Sequence, residues 1–573
     1  METWLIILIV FCVGIFLWYV HDKYVQRKHQ ILVNYPIIGR LRFVFQEFRE
    51  PFRQYFGDEK FYESMDKLDW VYNAARDKIN YASFSPSQPL PKPKLMLKHT
   101  NIVLNDDEVE NDFSIIFGEK REKPFFSSSI IGRGPMSDGS ISPEGTRAFV
   151  FGAKDGNFAI NSGEGGLTSN FFVTHNMYDD KYMKEVKGTA FQENVFKLAK
   201  FFFNVPVAID FYRKLLFRND LEADTYVFNK MKNCFYRPNW DAPLEDFPKD
   251  VPEDMADIIL QISSGLYGVR TKEGKFDLER YKKQMSFCRM TEIKIAQGAK
   301  QTGGKLIAEK VTPSIAYYRN IEANKDAFSP NRFPYANSIE ELFDFIGELQ
   351  EASGKPVGIK IVISDYDNIV PIAKEIKRRV DLNLPFPDYI SLDGGSGGSA
   401  TAPLEMMERI GMDIRDAIYL VDKVLKDYGV REHVKISASG KILTPDDVVI
   451  TLCIGADFVQ IARGFMMSAG CIRARYCSGA GDHQCPVGLA TQDIKKRKHY
   501  FVKKHADYVK NYHNNILKSM KSLLAVMGLK NVNELDKEKL IFLDKDSIIY
   551  DDIESVFERR VFNKKSPSSN YIQ

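Results

Sequence analysis

The first stretch of the chain is apolar without periodicity. No charged residue falls between Thr3 and Val20, and Trp4 to Phe16 is almost continuously hydrophobic. Eighteen residues at about 1.5 Å each make a helix of roughly 27 Å, close to the hydrocarbon thickness of a bilayer. Trp4, Trp18 and Tyr19 lie near its ends, where amphipathic rings favour the interface. A cleaved leader wants a basic start and a small-residue cleavage site, but Glu2 stands in front and His21-Asp22-Lys23 behind. The pattern predicts an uncleaved single-pass anchor over residues 3–20. Lys23, Arg27 and Lys28 after it place the remaining body in the cytoplasm by the positive-inside rule. A buried core helix is the bland alternative.

Residues 21–110 are aromatic and charged, punctuated by Pro86, Pro89, Pro91 and Pro93, and read as a helical segment and an irregular arm. From about residue 111 the rhythm changes. Short β-branched and apolar runs recur, each closing in Gly, Ser or Asn and followed by a helix-like stretch, the signature of a parallel sheet. Eight such runs stand out: Phe125–Ile131, Phe158–Asn161, Ile258–Ser263, Glu292–Gln297, Val357–Ile363, Tyr389–Leu392, Val434–Ser439 and Phe458–Ile461. They predict an α/β fold, a (β/α)8 barrel with insertions over residues 111–530, preceded by the transmembrane helix and followed by a tail over 531–573. The longest insertion, about 176–257, is rich in aromatics and Lys. An open doubly wound sheet is the alternative, but no strand opens into a G-x-G-x-x-G turn with an acidic residue about twenty positions on. A charge run, Lys495-Lys496-Arg497-Lys498-His499, opens a helix-like stretch to about Met527 and is a solvated face or a contact for anionic lipid.

Composition narrows the class. At 573 residues the chain exceeds one ordinary domain, and 79 Lys+Arg against 76 Asp+Glu give no global nucleic-acid-binding charge. Seven cysteines are too few to staple such a length. Three of them, Cys471, Cys477 and Cys485, fall within fifteen residues just after the eighth run, with Pro486 behind the last. Three close thiols suit an iron–sulfur cluster better than zinc, which normally takes a fourth ligand; His483 is the residue that could supply one.

In such a barrel the site lies at the C-terminal strand ends, and the loops after strands seven and eight commonly hold a phosphate. Here they read Ser437-Ala-Ser439-Gly440-Lys441 and Ala462-Arg463-Gly464. Gly lets backbone N–H groups approach phosphate oxygens, and Arg463 can meet them with a bidentate fork. Other strand ends are polar: Asn161-Ser-Gly-Glu164, Gln297-Gly-Ala-Lys300 and Asp393 to Ser399. Lys360 interrupts the apolar run Val357-Gly-Ile-Lys360-Ile-Val362, and burying it unpaired would be costly. It should face an anionic or electron-rich group, for which the N1/C2-carbonyl end of a flavin is well suited, or else a barrel carboxylate.

Pro135-Met-Ser137-Asp-Gly-Ser-Ile-Ser142, Asn161-Ser-Gly-Glu-Gly-Gly166, Glu292-Ile-Lys-Ile-Ala-Gln297-Gly-Ala-Lys300, Gly394-Gly-Ser396-Gly-Gly398 and Cys471…Cys477…Cys485-Pro-Val-Gly-Leu-Ala-Thr-Gln492 together resemble the FMN-binding domain of glutamate synthase. The resemblance spans about residues 111–530, and the anchor and arm are similar to its stand-alone, membrane-tethered branch. It implies an enzyme in which 2-oxoglutarate and ammonia form 2-iminoglutarate and reduced FMN delivers a hydride to give L-glutamate. It also implies a [3Fe–4S] cluster on Cys471, Cys477 and Cys485, fed by an electron donor such as ferredoxin. By position, Gln297 and Lys360 would be the catalytic groups against the flavin ring. Ser137, Asn161 and Ser396 would contact the cofactor, and Gly440, Arg463 and Gly464 would hold its phosphate. Three departures are expected to matter. The start Met-Glu-Thr carries no nucleophilic Cys for a glutamine amidotransferase, so ammonia would come from solution or a partner. No dinucleotide fingerprint is present for NADPH. Gln301-Thr-Gly-Gly-Lys305 stands where the family has an acidic Gly-rich turn. Apart from these three, the spacing from Cys477 to Cys485 is three residues longer than usual.

Overall fold

The computed structural model describes residues 2–26, scattered positions between 32 and 52, 64–78, 80, 92–172, 183–217, 226–238, 247–298, 303–478 except 404 and 408, 484–497 and 500–562. The chain forms two compact units, Met1–Ser64 and Met65–Gln573.

In the first unit a helix over Glu2–Val20 continues as a wider turn over His21–Val25. The 22 residues Trp4–Val25, with a mean hydropathy of 2.4, are long and apolar enough to cross a membrane. Their apolar side chains are exposed, unlike those of a core helix. Buried Asp22 accepts hydrogen bonds from the Ile37 backbone N–H at 3.0 Å and from Arg40 at 2.6 Å, folding the following segment back on the helix end. Arg27 and Lys28 lie outside the described residues.

The second unit is built on a closed barrel of eight parallel strands in chain order: β1 (Ile131–Arg133), β2 (Ile160–Asn161), β3 (Ile258–Ile262), β4 (Met290–Lys294), β5 (Val357–Ile361), β6 (Tyr389–Asp393), β7 (Lys435–Ser439) and β8 (Phe458–Ile461). Strand β8 returns to β1 through Val459 opposite Ile131, which closes the sheet and excludes the open doubly wound alternative. All five residues of β3, β5 and β6 are buried, as strands covered on one face by helices and filled on the other must be.

Two strand assignments need correction. The first run does not enter the barrel at Phe125. Phe125–Ser127 pairs antiparallel with Ile115–Phe117, and this hairpin plugs the N-terminal end of the barrel. Phe117 and Phe125 pack there against Ala159, Ile259, Met290, Tyr389 and Phe458, so the apolar run has a core to fill without being a barrel strand. The fourth strand ends at Lys294, three residues before Gln297, which therefore sits in the loop above the barrel.

Beyond the barrel, the helix Val502–Met527 lies against Pro143–Gly156. A Cβ on Gly152 would come within 2.5 Å of Val509 Cγ1, so this glycine sets how closely the helices approach. The charge run that precedes Val502–Met527 is not uniformly solvated: Arg497 is buried and paired with Glu144 at 2.5 Å, while Lys495 is exposed. The arm and the tail form a separate sheet, Lys94–Leu97 pairing antiparallel with Leu540–Leu543, which pairs in turn with Ile549–Tyr550.

The long insertion is a subdomain with its own aromatic core. Its strands Met183–Val186, Cys234–Pro238 and Val227–Asn229 form one antiparallel sheet, with the helices Ala190–Phe202 and Val205–Leu216 beside it. Phe196, Tyr212, Phe217, Tyr226 and Phe235 fill the space between, and Phe196 stacks on Tyr212 at 4.2 Å.

Candidate active site

Inside the barrel the side chains form a polar layer, not the branched aliphatic packing such a lumen favours. Glu292 of β4 is fully buried and accepts from Gln261 Nε2 at 2.7 Å, Asn161 Nδ2 at 2.9 Å and Gln460 Nε2 at 3.0 Å. Gln460 also donates to Ser437 Oγ at 3.1 Å and Ser391 Oγ at 3.2 Å, so five strands besides β4 contribute to one network. A buried carboxylate is tolerable because each neighbour donates to it.

Above this layer, at the C-terminal mouth, Lys360 of β5 is 4% exposed. Its Nζ lies 3.5 Å from Asp393 Oδ2 at the end of β6, which supplies the barrel-carboxylate partner weighed for it from the sequence. Asp393 also accepts from Ser439 Oγ at 2.8 Å and from the Gly298 backbone N–H at 2.9 Å. The second bond ties the loop after β4 to β6. A Cβ on Gly298 would meet Gly394 O at 1.9 Å, so only glycine lets the two loops touch there. Gln297, half-buried, is thereby held at the same rim as Lys360.

The loops after β6, β7 and β8 meet at one rim. Arg463 Nη2 donates to Ser396 O at 3.1 Å and would crowd a Cβ on Gly398 at the same distance. Gly440 has φ of +147°, a conformation side-chain-bearing residues rarely adopt, and a Cβ there would press on Ile414. Ser396 Oγ is buried with no hydrogen-bond partner. An orphaned hydroxyl beside a guanidinium and glycine backbone fits an anionic phosphate well. Gly464 has a further reason to lack a side chain, since a Cβ would lie 1.9 Å from Tyr512 Oη.

On the opposite side, the loops after β1 and β2 interlock. A Cβ on Gly163, with φ of +68°, would lie 2.5 Å from the Ser137 backbone nitrogen. Arg319, from the helix Pro313–Arg319, donates to Asp138 O at 3.0 Å and Ser137 Oγ at 3.3 Å, leaving its buried Nε without a partner. Burial holds Arg319 below the ordinary guanidinium range, opposed by the charge of Glu164. Glu164 in turn pairs with Lys294 at the end of β4. A Cβ on Gly304 would lie 2.7 Å from Glu164 Oε1, so a carboxylate from the β2 loop stands beside the altered turn; Gln301 and Thr302 lie outside the described residues. Arg319 and the Glu164–Lys294 pair were missed in the sequence: Arg319 reads as an ordinary basic helix end.

The three cysteines lie after β8. Burial, and then Cys477, push the Cys471 thiol up to about 12, so these two sulfurs share one electrostatic neighbourhood with Cys485. Among the described residues, however, no set of three Cys, His, Asp or Glu side chains closes around a point that could hold a metal ion. His483 and the rest of the loop 479–483 lie outside the described residues. Lys310, buried, donates to the carbonyls of Cys477 at 2.5 Å and Ala490 at 3.2 Å and pins both ends of that loop.

The chain is 28% identical to the glutamate synthase large subunit-like protein YerD of Bacillus subtilis (strain 168), over 96% of this chain and 98% of that protein. It is 33% identical to the archaeal-type glutamate synthase [NADPH] of Thermotoga neapolitana and 34% to the archaeal glutamate synthase [NADPH] of Methanocaldococcus jannaschii. Those matches cover 50% and 48% of this chain, and it spans only 53% and 51% of their lengths. Among solved structures, a flavocytochrome b2 variant with sulfite bound superposes with a TM-score of 0.38 at 11% identity, over 86% of this chain and 82% of that one, too distant to carry an argument. The pattern of a conserved region in glutamate synthase matches residues 75–530, and it contains the whole barrel, both rims and the three cysteines. With that region covering most of its length, the chain belongs to the glutamate synthase family.

Proposed function

We propose that the barrel is an FMN-dependent oxidoreductase that reductively aminates 2-oxoglutarate with ammonia to L-glutamate. The observation that carries this reading is the division of the mouth into two chemistries. The β6–β8 rim, with Ser396 Oγ unpartnered beside Arg463 and the glycine turn at Gly440, suits a phosphate. The β4–β5 rim carries Gln297 and buried Lys360, groups suited to a flavin ring and an acid substrate.

When bound, FMN would supply the hydride that reduces the C=N bond of 2-iminoglutarate, the imine formed from 2-oxoglutarate and ammonia with loss of water. The protein's own part is electrostatic. Lys360, paired with Asp393 at 3.5 Å, supplies a fixed cation near the C-terminal strand ends, where negative charge would gather on a reduced ring. Lys294 and Arg319, both close to Glu164, add positive charge on the side of the β1 and β2 loops, where a dicarboxylate can be oriented. Asn161 and Glu292 hold the floor beneath.

A [3Fe–4S] cluster on Cys471, Cys477 and Cys485, fed by a donor such as ferredoxin, is part of the proposal. The order of the thiols after β8 and the electrostatic neighbourhood they share support it. Membrane attachment through residues 3–20, supported by the length and exposure of the helix Trp4–Val25, completes the reading, with the body in the cytoplasm proposed from Lys23, Arg27 and Lys28 after the span.

The test is the visible spectrum of the pure full-length chain before and after dithionite, with iron content and turnover on 2-oxoglutarate, ammonium and reduced ferredoxin. Flavin absorbance, about three irons per chain and glutamate formation are expected. Protein that stays colourless after incubation with FMN would overturn the flavin reading. Flavin turnover without glutamate would point instead to another small acid as substrate.

A further inference from the structure

The helix Trp4–Val25 is not the only apolar surface of the first unit. Beyond it, Ile38, Leu41, Val44, Phe45 and Phe48 are 48–71% exposed. Positions 41, 43–45, 48 and 52 are helical, and the short turn Ile38–Arg40 leads into them. At 3.6 residues per turn Leu41, Phe45 and Phe48 lie within about 60° of one another, and Val44 widens the stripe to about 100°. Phe52 continues it past Pro51, its ring centroid 6.2 Å from that of Phe48. Such a stripe calls for an apolar medium along the length of the helix.

From these features we infer that Leu41, Val44, Phe45 and Phe48 form the lipid-facing stripe of a second membrane contact, a helix lying in the plane of the bilayer interface at the end of the span. The inference rests on the reading that Trp4–Val25 crosses a membrane. Depth chooses lipid as the occupant. The 22 residues Trp4–Val25 rise about 33 Å, close to the hydrocarbon thickness of about 30 Å, so Asp22 emerges at the boundary between acyl chains and headgroups. Asp22 clamps the start of the stripe to that boundary. It accepts from Arg40 Nη2 at 2.6 Å, from Arg40 Nε at 3.0 Å and from the Ile37 N–H at 3.0 Å. The Arg40 guanidinium also lies over the Trp18 ring, 5.1 Å from its centroid, and Trp18 belongs to the aromatic belt of the span. A carboxylate at this depth is tolerable because it is paired. The residue after Arg40 is Leu41, so the apolar stripe begins at the level of the acyl chains. Charge plays little part. Residues 26–64 hold seven Lys and Arg against five Asp and Glu, a near balance that calls for no particular headgroup. The attraction is apolar, and a zwitterionic bilayer suffices.

The test is photolabelling of the full chain reconstituted into phosphatidylcholine vesicles. Two phosphatidylcholines carry a diazirine, one near the glycerol end of the acyl chain and one at its terminus. Mass spectrometry should find adducts of the shallow probe on Leu41, Val44, Phe45 and Phe48. An interfacial helix reaches only about 5–10 Å into the boundary, so the deep probe should label these positions at least about five-fold less. Residues 4–25 should take up both probes, each at its own depth. In F45S/F48S the shallow adducts on Leu41 and Val44 should be lost while those in 4–25 persist. The depth contrast is read on the unmodified chain and decides the point even where that variant does not fold. Adducts in 4–25 with none on the stripe would overturn the inference and leave the span standing. Adducts at neither place would overturn the membrane reading and the inference with it. Equal labelling of the stripe by the two probes would also overturn it. So would p-benzoylphenylalanine in place of Phe45 if it cross-linked to residues 65–573 or to a second copy and not to lipid.

Discussion

Lys360 Nζ and Asp393 Oδ2 stand 3.5 Å apart on adjacent strands of the barrel, both nearly sealed from solvent. Lys360 lies opposite Ser391, so Asp393 is two residues further along β6 on the same face. Asp393 is held by Ser439 and the Gly298 N–H as well, so the lysine is a fixed charge at the mouth and not a swinging one. A cation so placed does little for ground-state stability, because desolvating both charges offsets much of their attraction. Its value is electrostatic.

Two outcomes follow for Lys360→Ala. Removing the lysine leaves a buried carboxylate with two neutral donors, and urea unfolding should show a loss of about 3 kcal/mol. If FMN occupies the mouth as proposed, the same variant should lower the flavin midpoint potential, because a reduced anionic ring loses its nearest cation. Potentiometric titration reads this directly. An unchanged midpoint would place Lys360 away from the ring.

Glu292→Gln tests the floor of the barrel. The carboxylate receives three amide donors, from Gln261, Asn161 and Gln460. An amide in its place turns one of its two oxygens into a donor facing donors. The expected cost is about 1–3 kcal/mol by chemical denaturation, with no volume change to confuse the result. A neutral outcome would mean that the network re-registers, for which Asn161 and Gln460 would have to flip together.

How far this arrangement could be read from the chain depends on whether a feature is local. Lys360 announced itself as a charge in the run Val357–Val362, and its inward burial follows from strand periodicity alone. Its partner Asp393 could not be paired with it, because inter-strand register is set by the closed sheet and not by nearby residues. Phe125 failed as a barrel strand for the same reason: an apolar pair satisfies either a strand or a plug, and only Phe117, Tyr389 and Phe458 around it decide between them. The cysteines were legible as a group, but whether their sulfurs converge depends on a loop whose path the spacing does not determine.

Gly464 shows that one residue can satisfy two requirements. Its position after β8 suggested backbone approach to a phosphate, yet Tyr512 Oη, which donates to Leu443 O at 2.7 Å, already fills the space a side chain would need. Gly464→Ala should therefore destabilise the protein by about 1–3 kcal/mol even in cofactor-free protein, by overpacking against a buried ring. Thermal unfolding of apoprotein and FMN-loaded protein separates the two roles. An equal loss in both assigns the glycine to packing, and a larger loss in the loaded form assigns it to the cofactor as well.

Burial of His513 predicts how stability depends on pH. The ring stacks on Phe158 at 4.4 Å and its Nε2 lies 2.8 Å from Ser129 Oγ, deep between the barrel and the helix Val502–Met527. Desolvation lowers its pKa from 6.5 to about 4, with Asn514 opposing. A folded value below the unfolded one means that the native state binds fewer protons, so the contribution is complete above about pH 6.5 and is lost progressively as the pH falls towards 4. The difference corresponds to roughly 3 kcal/mol, shared in sign by His505, whose pKa burial also lowers to about 4. Urea unfolding at a series of pH values between 7 and 4 should show that decline. In His513→Gln, which keeps an amide able to meet Ser129 but cannot titrate, the slope over this window should be roughly halved, His505 supplying the remainder. A slope unchanged by the substitution would show that His513 is protonated in the native state, and the packing of Phe158 against it would then have to accommodate a charge.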